Sequence, residues 1–172
     1  MNATATGHHV RRADGVDLLV FDRSFAAPLA QVWEAVTTSQ RLARWIGTWS
    51  GDPASGTVQL QMNAEGDDVP PETYQILECI SPRRLVLHAE DDLGIWDITL
   101  ELSEVGAATT LTFSQVIHDR TVLDSVGPGW DYYLDRLVAA ESGADVGALD
   151  FEADYFPALQ PHYVDLAAGL PG

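Results

Sequence analysis

Gly127-Pro128-Gly129-Trp130-Asp131-Tyr132-Tyr133-Leu134-Asp135-Arg136-Leu137-Val138-Ala139-Ala140-Glu141 is the stretch whose reading decides the fold. With Val126 before it, Trp130, Tyr133, Leu134, Leu137 and Val138 recur at the i, i+3/i+4, i+7 spacing of one helix face. Asp131, Asp135 and Arg136 fall away from that face, where solvent is expected. Pro128 suits the first helical position, because it brings no amide in need of a partner. Gly143 suits the position just past the end, where left-handed backbone is common. A helix so apolar on one side needs a large partner, and the chain before it reads mostly as strands. The expected architecture is α+β, a curved antiparallel sheet of about six strands wrapped around one long C-terminal helix.

Working outward, residues 16–25 read as the first strand, which Pro28 ends because proline cannot continue a ladder. Leu29, Val32, Trp33 and Val36 then have helical spacing, and Ser39 looks like the cap of a second short helix carrying Leu42, Trp45 and Ile46. Residues 47–56 are rich in glycine and small polar side chains and read as a loop around Trp49. Five further strands are predicted at 57–62, 73–80, 85–89, 95–102 and 109–117, alternating apolar and polar residues as a meander with one wet face does. Residues 63–72, with Gly66-Asp67-Asp68 and Pro70-Pro71, read as an exposed, solvated turn. Residues 1–15 are polar and without period, a flexible tail in which His8-His9 has no further metal ligand at useful spacing. One domain is expected over 16–142. Residues 143–172 are too aromatic to be free, and their Tyr155, Phe156, Leu159, Tyr163 and Leu166 are expected to pack on that domain or to cover a second copy in a homodimer.

The chain has 172 residues, 46% of them hydrophobic, enough for one domain with a substantial core. Its 26 acidic against 9 basic residues leave a formal charge of -17. Such a field repels nucleic acid and anionic membrane surfaces, so neither is an expected partner. The single cysteine, Cys79, excludes an internal disulfide, and its place in an apolar run predicts a small buried side chain. Neither a signal-peptide core nor a run of membrane-spanning length is present, which predicts a cytoplasmic protein.

Phe25-Ala26-Ala27-Pro28-Leu29-Ala30-Gln31-Val32-Trp33-Glu34-Ala35-Val36, followed by Leu42-Ala43-Arg44-Trp45, resembles the opening signature of the START-like, or SRPBCC, superfamily. Gly129-Trp130-Asp131-Tyr132-Tyr133-Leu134-Asp135-Arg136-Leu137 is similar to the helix signature of its branch named for activators of heat-shock protein 90 ATPase. The resemblance covers residues 16–142. It implies a helix-grip fold with a mostly apolar cavity between sheet and helix, in a superfamily that includes lipid and hormone binders and aromatic polyketide cyclases.

A cavity in that position would be lined by the face that also forms the core. Trp45, Trp49, Trp96 and Trp130 could form an aromatic wall, each ring adding contact area and one indole N–H, whereas packing explains any of them equally well. Trp33 is left to the core. Phe113, Leu134 and Leu137 lie on the same apolar faces. Tyr74 and Tyr133 could aim a hydroxyl at a ligand, and His88 and His118 could act as acid or base, since unperturbed histidine titrates near neutrality. Nucleophile elbows, phosphate loops, dinucleotide fingerprints and zinc helices are all missing from the sequence. No catalytic residue, metal or cofactor is therefore predicted. The expected function is binding of a small hydrophobic or aromatic molecule. A cyclase- or hydratase-type enzyme and a chaperone co-factor acting through the acidic surface are the alternatives.

Overall fold

The computed structural model describes residues 3–66 and 69–171, so Asp67 and Asp68 of the predicted solvated turn lie outside the described residues. Strands β1 (His8–Arg11), β2 (Asp17–Phe25), β3 (Gly47–Ser50), β4 (Thr57–Met62), β5 (Glu72–Ile80), β6 (Arg84–Asp91), β7 (Gly94–Val105) and β8 (Ala108–Val116) form one antiparallel sheet. Its order is β1-β2-β8-β7-β6-β5-β4-β3. Helices α1 (Leu29–Thr37) and α2 (Ser39–Leu42) fill the connection from β2 to β3, and α3 (Leu123–Ser142) follows β8. Helix α4 (Gln160–Ala168) completes the chain.

The two-residue period of the strands sorts side chains onto two faces. The inner face carries Leu19, Phe21 and Phe25 of β2, Ile98, Leu100 and Leu102 of β7, and Leu111 and Phe113 of β8, all buried. Onto it packs α3 through Leu134 and Leu137, 1% and 0% exposed. Burying a leucine this completely stabilises the fold by about 1.5–3 kcal/mol. The predicted helix grip is thus present, with eight strands where about six were expected.

Several expectations change. β1 and β3 are the two edge strands, and both are short and polar, so pairing and not periodicity defines them. His8 pairs with Val20, and Trp49 with Leu60, which removes residues 8–11 from the predicted free tail and Trp49 from the predicted loop. Ser39 does not cap α2. Its hydroxyl instead bonds the backbone of Trp49, 2.8 Å away as donor and as acceptor. Helix α3 begins at Leu123, so Pro128 lies inside it and removes one i→i−4 bond. The earlier start is prepared by a 3-10 turn over Arg120–Val122, where the Asp119 carboxylate accepts the Thr121 amide. The other end is as expected, with Gly143 at φ +75°. Cys79 is exposed. A bulge between Ile76 and Glu78 breaks the alternation of β5, and β4 pairs only as far as Gln75, so the end of β5 projects beyond its neighbour.

The largest departure concerns Asp131, placed in solvent by the helical period and found 0% exposed. Arg23 of β2 donates from Nη2 to its Oδ1 at 3.0 Å, and the Thr6 amide donates to its Oδ2 at 3.2 Å. The Thr6 and Tyr163 hydroxyls donate to it as well. Asp135, one turn on, accepts from Arg23 Nε at 3.0 Å and from the Tyr155 hydroxyl at 2.9 Å. Burial pushes the Asp135 carboxyl above its usual range, against the pull of Arg23. Both flanks of α3 are therefore covered, one by the sheet and the other by residues 6–7 together with the C-terminal segment. Tyr155 and Tyr163, 1% and 0% exposed, pack on α3 of the same chain.

Candidate functional site

Helix α3 changes in composition along the inner face of the sheet. Its second half presents leucines that close the core, and its first half presents Ser125, Val126, Gly129 and Trp130, which leave room. A cavity of about 460 Å³ opens there. Its walls are Trp130, Tyr132 and Tyr133 of α3, Met62 of β4, Tyr74 of β5, Trp96 of β7, and Phe151 from the C-terminal segment. Ala64, Glu65, Glu72, Asp91 and Leu93 stand around the same space. A volume in the range of about 300–1,000 Å³ is usual for small-molecule sites.

Trp130 organises the wall. Its indole N–H donates to Gln115 Oε1 at 2.6 Å, and Gln115 is itself 7% exposed on the inner face of β8. The ring lies 4.4 Å from Phe113 and 6.4 Å from both Trp96 and Tyr133, centroid to centroid. These spacings and tilts suit aromatic pairs, and they hold the indole in one orientation. Tyr132 meets Phe151 at 5.3 Å, and Phe151 stacks on Phe156 at 6.0 Å, so the C-terminal segment completes the aromatic enclosure. The Trp96 Nε1–H is shut off from solvent and has no acceptor among the described residues. Such a donor is costly to leave unmade.

The polar groups are of one kind. Tyr133 donates its hydroxyl to Glu65 Oε1 at 2.7 Å. Burial, then the Glu65 carboxylate, pushes the Tyr133 phenol far above its ordinary value, and burial followed by Glu72 does the same to Tyr74. Both phenols stay protonated donors at any ordinary pH. The Glu72 carboxyl is raised first by burial and next by the charges of Asp91 and Glu65. Asp91 also accepts the amides of Leu93 and Gly94, at 2.7 and 3.0 Å, which shapes the turn from β6 to β7.

Of the residues singled out in sequence, Tyr74, Trp96, Trp130 and Tyr133 line this cavity. Phe113 stands behind Trp130 and supports it. Leu134 and Leu137 belong to the closed core. Trp45 and Trp49 are pinned elsewhere, their indoles donating to the carbonyls of Ala35 at 3.0 Å and Thr37 at 2.8 Å. His88 and His118 are corrected: they do not line the cavity. His88 alternates with the inward Leu87 and Ala89, and its Nδ1 meets Asp97 Oδ1 at 2.6 Å, next in sequence to the inward Trp96. His118 Nε2 meets the other oxygen of Asp97 at 2.6 Å. Asp97 thus bridges two histidines on the outer face of the sheet. Among the described residues no group of three or more His, Cys, Asp or Glu side chains is arranged to hold a metal ion. Missed in sequence were Met62, Glu65, Glu72, Asp91, Tyr132 and Phe151. Tyr132 could have been found from its place between Asp131 and Tyr133 on the same turns, but nothing local marks the others, which reach the cavity only through folding.

No described helix is long and apolar enough to cross a membrane. A family model described as "Activator of Hsp90 ATPase homolog 1-like protein" matches residues 26–141. No curated protein matches the chain. Among solved structures, CalU16 from Micromonospora echinospora is similar at a TM-score of 0.70 and 22% identity, covering 97% of this chain and 99% of its own. EF2215 from Enterococcus faecalis, a conserved protein of unknown function, gives 0.72 and 18%, with 96% and 92% covered. DynU16, from the dynemicin biosynthetic locus, gives 0.63 and 25% over 74% of this chain and 48% of its own. The first two likenesses concern the fold alone.

Proposed function

The chain belongs to the family of Activator of Hsp90 ATPase homolog 1-like proteins, and from that premise we propose that it binds a small hydrophobic or aromatic molecule between α3 and the sheet. The observation that carries this reading is the aromatic cavity itself. Trp96, Trp130, Tyr132, Tyr133 and Phe151 converge on a space of about 460 Å³ where a core of this size would otherwise close. Packed interiors hold few voids larger than a water molecule, because unfilled space forfeits dispersion contacts. A ligand restores those contacts. The fold is consistent with hydrophobic ligand binding, and the similarity to a protein of a biosynthetic locus supports a small organic molecule as the cargo.

The test is a thermal-shift screen of lipids and aromatic metabolites against the protein and a Gly129→Leu variant that obstructs the cavity wall. A ligand present at a hundredfold its Kd stabilises by about 2.7 kcal/mol. For a chain of this length that corresponds to a rise in Tm of very roughly 5–10 °C. The rise is expected in the parent and absent in the variant. No stabilising compound, or equal stabilisation of both proteins, refutes the reading.

A further inference from the structure

The charge of the cavity narrows the class of molecule it takes. Every ionisable carboxyl around it is acidic in the same sense, from Glu65, Glu72 and Asp91, and no arginine among the described residues lines it. The chain has no lysine at all, its nine basic residues being arginines. Arg136 touches the lining only through Tyr132, with its guanidinium carbon 5.2 Å from the ring centroid. Two of its donors are engaged, Nε by the Trp45 carbonyl at 2.8 Å and Nη1 by the Tyr132 hydroxyl at 3.1 Å. Its single positive charge stands against the three carboxyls of Glu65, Glu72 and Asp91 that line the cavity.

Two properties of the cavity converge on one chemistry. The rings of Trp96, Trp130, Tyr74, Tyr132 and Tyr133 line the cavity, and the face of such a ring attracts a cation, most strongly where water is excluded. The carboxylates provide the countercharge and the acceptors that an ammonium group, a donor with no lone pair, requires. Glu72 shows that the present arrangement is unbalanced, since its carboxyl is pushed up by Asp91 and Glu65 as well as by burial. A cation between them reverses the sign of that interaction. An anionic fatty acid or a carboxylated metabolite would meet the same three groups as repulsion. The formal charge of -17 acts in the same direction at long range.

We propose that the cavity selects an amphipathic amine, with a flat apolar body against Trp130, Trp96 and Phe151 and an ammonium group among Glu65, Glu72 and Asp91. This rests on the reading of the cavity as a ligand site and adds the charge of the ligand to it.

Three probes of one shape test it: 2-naphthylmethylamine, 2-naphthylmethanol and 2-naphthoate, titrated at pH 7 by calorimetry and by tryptophan fluorescence. The amine is expected to bind about tenfold more tightly than the alcohol, in keeping with a cation–π contact plus one ion pair, and the acid more weakly than the alcohol. The preference for the amine shrinks in high salt. In Glu72→Gln it falls to about twofold or less, because the amine loses more affinity than the alcohol does. Glu65→Gln, at an exposed position, makes the same comparison in a variant whose folding is not at risk. Equal affinity for amine and alcohol, or a preference that survives both substitutions, overturns the amine proposal and leaves the cavity reading standing. Failure of all three probes, together with an empty thermal-shift screen, overturns both.

Discussion

Replacing Gly127 by alanine adds one methyl group to the middle of α3, where two effects of opposite sign can be compared. Helix propensity favours the change, since glycine in a helix interior is about 1 kcal/mol worse than alanine. Packing opposes it. A Cβ at Gly127 would lie 2.3 Å from Cδ1 of Tyr163 and 2.4 Å from Cε1 and Cγ. Carbon atoms approach comfortably to about 3.5 Å, so the ring would have to retreat by more than about 1 Å. The ring is crowded elsewhere too: a Cβ at Gly7 would lie 2.6 Å from Cε1, so the ring abuts two glycine backbones. Its hydroxyl is fixed by donation to Asp131 and by the Gly7 amide at 3.1 Å. Overpacking of this kind costs about 1–3 kcal/mol. Weakening the buried hydrogen bonds adds about 1–3 kcal/mol. Against the propensity gain, the net is a loss of about 1–5 kcal/mol, with each kcal/mol lowering Tm by about 2–4 °C. Gly129→Ala is the matched control two residues on. Nothing lies within 4 Å of a Cβ there, so stability is expected to rise by up to about 1 kcal/mol. Urea and thermal unfolding of the two variants measure the difference. A Gly127→Ala protein as stable as its parent refutes the account of Tyr163 as a plug.

Two further outcomes are expected. Asp131→Ala strands the Arg23 guanidinium, 8% exposed, with only Asp135 as countercharge, and leaves the Tyr163 hydroxyl without its acceptor; breaking a buried pair in this way costs about 3–5 kcal/mol, and a urea-derived loss below about 1 kcal/mol would contradict it. His88 is held above its ordinary value chiefly by the hydrogen bond to Asp97, with Glu90 adding to it. The protonated ring therefore adds stability that is complete below about pH 6.5 and is lost as pH rises through the raised folded value. An NMR titration should place His88 above that ordinary value and Asp97→Asn should bring it down; a ring that titrates at the ordinary value in the parent removes the effect.

The fold was legible where a period ran long enough to average out local accidents. The apolar spacing from Val126 to Val138 found α3, and the alternation of Trp96, Ile98, Leu100 and Leu102 found β7. Edge strands escaped because His8–Arg11 and Gly47–Ser50 are polar and four residues long, too short for a two-residue period to show. Asp131 escaped for a different reason. Periodicity separates apolar from polar faces, whereas this polar face is buried by partners at positions 6, 23 and 163, which no window around residue 131 contains. The site divides along the same line. Its aromatic wall was visible because tryptophan and tyrosine on an apolar face ask for a place. Its carboxylates sit in or beside turns, where acidic residues ordinarily mean only solvent. The histidines attracted attention for their chemistry, and strand alternation turned them outward.

The two ends of the chain meet across α3, and that closure bears on how the protein is made. Thr6 reaches Asp131 over 125 positions, and Gly7 reaches His162 and Tyr163 over 155 and 156. Contacts so distant in sequence form late, because the intervening chain must be ordered before they repay its loss of freedom. During synthesis, Asp131 leaves the ribosome before Tyr163, 32 residues further on, can cover it. The sheet can assemble around α3 at that stage, but the polar flank of the helix stays open to water until residues 162–163 have followed. Folding around α3 therefore ends as a clasp fastened by residues 6–7 and 162–163, and a nascent chain stopped short of residue 163 should be soft to proteases along α3 while its sheet is already formed.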